Sequence, residues 1–459
     1  MISMQDLKRK LFEESLAGKD ISSLGNITNS TNTERQVDQG KRRFIKYIAA
    51  GAVAAGVGYV AAKNFGLLKG TEYTETTNSK RATTEYTYTE ATNSKTATTE
   101  SIIRRIKIPD NGCYLGAAIP DGEDFNQFEN EIGKKMAIRN SFWTFEHGTT
   151  PFEEKQLTPI IKNDNVPMIS WEPVLLNKKK EEIPIKLQDI IDGKYDEHLT
   201  RCASKVKTFE HTIFLRPAWE MNGSWTPYSG ANNFGLYGDK TWKEADDLYK
   251  YYGDPKKADG PERYVDAWRR IRKVFDKTGA NNIEWVWSTA SSNYPQEIWN
   301  VPENYYPGDE YVDWVGVSLY NHGWIYEKKG WFSFDTLFSR TEPIRVYNMY
   351  RHKPFMLAEW GCGEGREYAI SGDKAKWITE AFDVIKNKYS NIKAAVWFSK
   401  DKSNLGDPSE KDWRIDSSPQ ALQTYVKSIS DPYFLDHVTF EPVISHTSLN
   451  QLVPYLLRN

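Results

Sequence analysis

The segment Ile213-Phe-Leu-Arg-Pro-Ala-Trp-Glu-Met-Asn-Gly223 reads as a buried strand that stops at a carboxylate and turns at once through glycine. A second segment, Pro354-Phe-Met-Leu-Ala-Glu-Trp-Gly361, follows the same plan. In a closed parallel barrel, groups at the C-terminal ends of strands face the mouth, where active sites are built. Glu220 and Glu359 brought together at such a mouth, with aromatic rings around them, would suit cleavage of a glycosidic bond, a reaction run by paired carboxylates.

Outward from these two segments, short apolar runs alternate with helical patterns, which predicts βα units and a parallel sheet. The expected strands are Cys113–Ile119, Met136–Trp143, Val166–Trp171, Thr212–Trp219, Ile283–Trp287, Val312–Leu319, Pro354–Ala358 and Ala394–Phe398. Eight strands over this length fit an α/β fold of the (β/α)8 barrel type. Helices are expected over Pro261–Asp276, Lys374–Lys388 and Gln420–Ser428, with elaborated loops at Leu175–Ile191 and Asn232–Asp259. The barrel is therefore placed at residues 102–430, followed by a tail, 431–459, whose packing the pattern leaves open.

The segments before the barrel differ in kind. Residues 1–40 are polar and lack apolar periodicity, which reads as disorder. Residues 41–69 hold the basic cluster Lys41-Arg-Arg-Phe-Ile-Lys46 and the uncharged stretch Tyr47 to Ala62. That order suggests an export signal or a membrane anchor, and the cluster resembles a twin-arginine export motif. The uncharged stretch is shorter than the roughly 20 residues of a spanning helix. Val60-Ala-Ala62 would also serve a signal peptidase, so cleaved and retained forms both stand. Residues 70–101 contain a repeat of 15 residues: Thr71-Glu-Tyr-Thr-Glu-Thr-Thr-Asn-Ser-Lys-Arg-Ala-Thr-Thr-Glu85 aligns with Tyr86-Thr-Tyr-Thr-Glu-Ala-Thr-Asn-Ser-Lys-Thr-Ala-Thr-Thr-Glu100. A Thr/Ser-rich stretch of this kind is a linker or stalk. The expectation is an extracellular or surface-held barrel, with the membrane as a partner if the segment is uncleaved.

Composition narrows the classes further. The 459 residues carry 60 Lys plus Arg against 62 Asp plus Glu, so a net charge of −2 gives no reason to expect nucleic acid. Three cysteines without regular spacing form no disulfide framework. Seven histidines without a His-Glu-x-x-His pattern predict no catalytic metal, and no cofactor is expected. The 16 Trp and 26 Tyr supply flat rings that suit the apolar faces of sugars, or else a large aromatic core. A polysaccharide substrate and a monomer are expected.

Side chains alternate along a strand. Arg216, Ala218 and Glu220 share one face, and Gly316, Ser318 and Tyr320 share another that suits the barrel interior. By the same rule Glu359 is phased with Leu357 and Phe355, and Trp397 with Ala395. Four strand ends would then offer Glu220, Tyr320, Glu359 and Trp397 to one cavity, with Trp219 and Trp225 as apolar neighbours of the acid. Trp171, Trp287 and Trp360 are further ring candidates for binding substrate. Arg216 could bind substrate as well, or pair with a glutamate inside the barrel and take no part in catalysis.

These segments resemble glycoside hydrolase family 26. Its strand-four signature is similar to Arg216-Pro-Ala-Trp-Glu-Met-Asn-Gly-Ser-Trp225, and Asp313-Trp-Val-Gly-Val-Ser-Leu-Tyr320 and Lys353-Pro-Phe-Met-Leu-Ala-Glu-Trp-Gly361 resemble strands six and seven. Pro167-Met-Ile-Ser-Trp-Glu-Pro173, Ala394-Ala-Val-Trp-Phe398 and Asp412-Trp-Arg-Ile-Asp-Ser-Ser-Pro419 are also similar. The resemblance implies a retaining, endo-acting hydrolase with Glu220 as acid/base and Glu359 as nucleophile. It implies that Tyr320 hydrogen-bonds the nucleophile, that Trp397 is a sugar platform and that Trp225 walls the cleft. β-1,4-Mannan is the first expected substrate, with mixed-linkage β-glucan or β-1,3-xylan, or a non-catalytic binding barrel, as alternatives. The family usually has His before the acid/base, and Trp219 stands there instead, which bears on sugar preference.

Overall fold

The computed structural model describes residues 104–146, 152–177, 179, 181–209, 211–245, 259–323, 330–364, 373–407 and 409–442. The N-terminal segments read above as disordered, apolar and repetitive lie outside these residues. Among the described residues, no helix is long and apolar enough to cross a membrane.

Thirteen strands are described: β1 Arg104–Ile106, β2 Cys113–Ala118, β3 Ile138–Thr144, β4 Val166–Glu172, β5 Val174–Leu176, β6 Glu182–Pro184, β7 Ile213–Pro217, β8 Ile283–Ala290, β9 Trp314–Asn321, β10 Phe355–Cys362, β11 Ile392–Phe398, β12 Phe434–Leu435 and β13 Phe440–Pro442. Strands β2, β3, β4, β7, β8, β9, β10 and β11 pair in parallel in that order, and β11 returns to β2 through Ala394 opposite Tyr114 and Phe398 opposite Ala118. The sheet is thus a closed (β/α)8 barrel. Each expected strand is present, with ends differing by a few residues.

The helices are α1 Phe125–Ile132, α2 Glu154–Lys162, α3 Leu187–Ile191, α4 Asp196–Thr208, α5 Gly260–Thr278, α6 Phe334–Arg340, α7 Glu342–Met349, α8 Lys374–Asn387 and α9 Pro419–Ile429. Helix α5 shows how sequence sets the outer layer. Pro261 stands in its first turn, and Gly279 ends it in the left-handed conformation at φ 81°. Between them Tyr264, Ala267, Trp268, Ile271 and Phe275 form one buried stripe. That stripe meets the sheet through Trp268 against Trp285 at 6.3 Å and Phe275 against Trp171 at 5.9 Å. Each such side chain contributes about 1.5–3 kcal/mol on burial. Asp373 caps α8 at the Lys376 amide (2.9 Å) and Ser418 caps α9 at the Ala421 amide (3.3 Å).

The core has two shells. Tyr114, Ile138, Met168, Phe214, Val286, Trp314, Met356 and Val396 pack inside the barrel. The larger shell lies between sheet and helices and holds Trp171, Trp285, Trp287, Trp360, Trp377 and Trp397. The segment after α9 turns back onto the barrel: Phe434 pairs with Cys113, and β13 pairs with β1 in antiparallel register. At that end Glu284 accepts from the Ile106 amide at 3.2 Å. The three cysteines are buried and free.

Strand β10 carries an irregularity that matters for the site. Leu357 stands opposite Val317, but Glu359, not Ala358, stands opposite Ser318. Ala358 is therefore an extra residue, a bulge that shifts the phase of everything after it. Gly316 makes room, since a Cβ there would lie 3.2 Å from that of Ala358.

Candidate active site

Strand β7 delivers its last side chains to the barrel mouth through a tightly held turn. The Ala218 amide donates to Trp171 O at 3.0 Å, and the Glu220 amide donates to Ser288 O at 2.9 Å. Both residues lie in the left-handed region, Ala218 at φ 47° and Glu220 at φ 58°. For non-glycine residues this costs about 1–2 kcal/mol each and is tolerated where surrounding bonds over-determine the turn. Asn222, fully buried, supplies much of that determination. Its amide group donates to Ala290 O (3.2 Å) and Asn293 Oδ1 (2.9 Å), while its carbonyl accepts from the Ala290 amide (2.8 Å). The turn is thereby fastened to the end of β8, and Glu220 has one direction to point.

The bulge in β10 turns Glu359 inward. Counting from Phe355 and Leu357 would have sent it to the helix layer, because those two face outward with Val315 and Val317. The inner set is Met356 and Ala358, and the extra residue brings Glu359 onto the same side as Ser318. The expectation that it reaches the cavity agrees with the structure, but the phasing behind it is corrected.

Arg216 connects the two segments. Its guanidinium is fully buried and forms an ion pair with Glu359 Oε1. It also donates to Ser170 Oγ (3.2 Å), Ser288 Oγ (3.1 Å) and Ser318 Oγ (2.9 Å). Its contacts are thus spent inside the protein, which corrects the assignment of Arg216 as a substrate-binding residue. The second oxygen of Glu359 accepts from the Tyr320 hydroxyl at 2.8 Å. Burial, and then the nearby carboxylates, push the Tyr320 phenol well up, so it remains a donor.

Glu220 has a different setting. It is half-buried, and Oε2 accepts from Trp225 Nε1 at 2.8 Å. Burial first, and then the charge of Glu359, raise its pKa, while Ser318, Arg216 and Trp225 act against the rise. The two carboxyls therefore differ as a general acid and a nucleophile must: one is held toward its protonated form, and the other is paired with a buried cation.

Around them, Trp219 packs against Phe142 (5.6 Å between centroids) and Tyr228 (6.0 Å), with the Arg216 guanidinium 5.3 Å from its ring. Trp225 is 55% exposed beside Glu220. Glu172, at the end of β4, is a third carboxyl at the rim, raised to about 7 by burial and by Glu182.

Four of the predicted binding rings stand elsewhere. Trp171, Trp287, Trp360 and Trp397 are fully buried in the outer shell. Trp397 packs on Trp360 at 4.7 Å and Tyr425 at 5.5 Å and donates to Trp413 O. A ring enclosed on both faces has none left for a sugar, so all four are corrected to core residues. The reading missed Ser170, Ser288 and Asn222, and did not connect Ser318 to Arg216. Their signal was available in part: Ser170, Ser288 and Ser318 share the interior phase of their strands, at the level of the arginine.

Residues 188–350 match glycosyl hydrolase family 26. The barrel belongs to glycosyl hydrolase family 26. This family 26 chain is 31% identical to Endoglucanase H of Acetivibrio thermocellus over 328 residues, covering 70% of this chain and 31% of that protein. It is 21% identical to the beta-1,3-xylanase TXYA of a Vibrio species, covering 55% of this chain and 51% of that one. It is 27% identical to a mannan endo-1,4-beta-mannosidase of Caldalkalibacillus mannanilyticus, covering 39% and 26%. The chain thus spans between about a quarter and a half of the length of these relatives. Among solved structures, a GH26 beta-mannanase from Bacteroides ovatus aligns with a TM-score of 0.47 at 15% identity, covering 71% of this chain and 90% of that one.

Proposed function

We propose that this family 26 barrel is a retaining hydrolase that cuts a β-linked glycan within the chain. The observation that carries this reading is the unequal treatment of two carboxyls at one mouth, Glu359 against Arg216 and Tyr320, Glu220 in a setting that favours its proton. Glu359 attacks the anomeric carbon while Glu220 gives its proton to the departing glycosidic oxygen. Glu220 then takes a proton from water, which displaces Glu359 from the sugar and restores both groups. Bond order and proton count balance without a further reactant.

The family resemblance puts mannan first. The 31% match to a protein named Endoglucanase H supports a β-linked glucan ahead of it, and Trp219 in place of the usual histidine is in keeping with a changed sugar preference. The deciding experiment offers the full chain mixed-linkage β-glucan, β-mannan and β-1,3-xylan, and follows reducing ends and the anomer first released. Release of the β-anomer from glucan is expected. An α-anomer as first product removes double displacement, and binding without release from any of the three leaves a carbohydrate-binding barrel.

The pH dependence follows from the direction of the Glu220 shift. Its protonated form is the acid, so activity falls as pH rises through a pKa lifted above the ordinary carboxylate range. The Trp225 bond favours the ionised form. Trp225→Phe removes it, and the basic limb of kcat/KM is expected to move to higher pH with the acidic limb in place. A basic limb that stays put or moves down would separate that limb from Glu220.

The basic and apolar segment 41–69 and the repeat at 70–101 support export and tethering of the barrel at a surface, which peptide mass analysis of membrane and medium fractions would test.

A further inference from the structure

The ring that carries the Tyr320 hydroxyl to Glu359 leans on Trp413, with 4.8 Å between centroids. Both rings lie over Gly361, where a Cβ would come within 3.6 Å of each. Phe398 closes on Tyr320 edge-on at 5.8 Å. Trp413 is 1% exposed and clusters with Ala118, Phe398, Phe142 and Tyr320, so it has no face free for a sugar. Any effect it has on the reaction passes through its neighbours.

Trp413 stands on the segment between β11 and α9, which doubles back as a strap beside the mouth. Asp401 pairs with Asp412 in antiparallel fashion, and the Trp413 amide donates to Lys400 O at 3.0 Å. Side chains tie the strap down further. Trp397 Nε1 donates to Trp413 O (2.9 Å), Trp413 Nε1 to Glu410 Oε2 (3.1 Å) and His322 Nδ1 to Ser409 O (2.9 Å).

The remaining tie is a lysine in an unfavourable place. Lys374 is the first residue of α8 and is 1% exposed. Its ammonium has left water and stands at the positive end of a helix dipole. Burial pushes its pKa down, in keeping with that cost. A methionine would fill the place without either penalty, so the residue is explained by what it holds. Its three donors go to Arg414 O (2.6 Å), Ser417 Oγ (2.8 Å) and Asp412 O (3.4 Å). One cation thus grips the carbonyls on both sides of Trp413.

We propose that Lys374 and Trp413 are positioning residues for the nucleophile: Lys374 sets Trp413, Trp413 sets the Tyr320 ring, and the Tyr320 hydroxyl then meets Glu359. The effect on turnover rests on the hydrolase reading above. What is added is a line of control that starts at the end of an outer helix, from a side chain with no surface to offer a substrate.

The test reads the Tyr320 hydroxyl directly. In protein labelled with ¹³C at tyrosine Cζ, the Tyr320 signal is assigned by its loss in Tyr320→Phe, and Glu359→Ala gives its position without the carboxylate. Lys374→Met and Trp413→Phe are each expected to move that signal toward the Glu359→Ala position. The signal of Tyr114, at the opposite end of the barrel, should stay where it is. If Lys374→Met does not fold, Lys374→Gln, neutral and one atom shorter, is read in the same way. On the cleaved glycan, kcat should fall about 10-fold with KM within about twofold, the scale of one hydrogen bond to a charged group. Added to Tyr320→Phe, either change should lower kcat by no more than about twofold further, because groups acting through one contact are not additive. A Tyr320 signal that stays in place, or that moves together with that of Tyr114, would overturn the proposal by making both residues supports of the fold. Full additivity with Tyr320→Phe would overturn it too, by giving them a route to the site that bypasses the phenol. If the parent protein cuts no glycan, the hydrolase reading fails on its own, and the Tyr320 signal still decides whether Lys374 and Trp413 place that hydroxyl.

Discussion

Glu359→Ala is expected to lower turnover by on the order of 10⁴-fold or more, since the proposed route forms its glycosyl intermediate on this carboxylate. The structure adds a second consequence. Arg216 is fully buried and paired with Glu359, so truncation leaves a guanidinium charge without its partner. Breaking such a pair from one side costs about 3–5 kcal/mol. The space vacated by the carboxylate, facing that cation and the Tyr320 hydroxyl, then becomes an anion site. Azide or formate should raise the melting temperature of the variant and leave the parent unchanged, because a ligand that binds only the folded state stabilises it by mass action. Azide should also restore turnover on an activated aryl glycoside. Its nitrogen bonds the anomeric carbon as the phenol leaves, and the product is a glycosyl azide of inverted configuration. A variant that retains full turnover ends the nucleophile assignment. A variant with no response of melting temperature to either anion ends the account of Arg216 as its counter-charge.

How far these side chains could be read from sequence depends on the local strand. In β7 and β9 the alternation is uninterrupted, so Arg216, Ser318 and Tyr320 could be phased correctly from neighbours two residues away. In β10 the same count fails at Ala358. A bulge leaves no mark in a run as uniformly apolar as Phe355–Ala358, and the residue that permits it, Gly316, lies in another strand. Trp397 shows a second limit. Barrel strands are buried on both faces, so hydrophobicity does not tell the inner face from the outer. Phased with Ala395, Trp397 goes wherever that residue goes, which is under the helices. Trp171, Trp287 and Trp360 share this fate, whereas Trp314 lies inside the barrel, so ring size does not tell the faces apart either. The strand boundaries were legible for the opposite reason. Each βα unit repeats the same punctuation, and errors in one do not propagate to the next.

Glu220→Ala should separate the two half-reactions, and that separation identifies the group as acid and base together. Removing a general acid costs about 10²–10⁴-fold where the leaving group needs a proton, so hydrolysis of a glycan should fall into that range. An aryl glycoside with an acidic phenol needs no proton to depart. Its first step should continue through Glu359, still paired with Arg216 and Tyr320, while water attacks the resulting glycosyl-enzyme with no base to assist it. The expected signature is a burst of phenol equal to one per active site, followed by slow turnover with a low KM. The fold should tolerate this change better than Glu359→Ala. Glu220 is half-buried; of its side-chain partners, the Trp225 indole is 55% exposed and can turn to water, and the Ser318 hydroxyl keeps its bond from Arg216. Left-handed φ at position 220 is unfavourable for alanine too, so only a modest loss of melting temperature should follow. Equal rate losses on the glycan and the activated aryl substrate, with no burst, would remove Glu220 from proton transfer. The role would then pass to the third carboxyl at the rim, Glu172, whose pKa near 7 suits it to hold a proton.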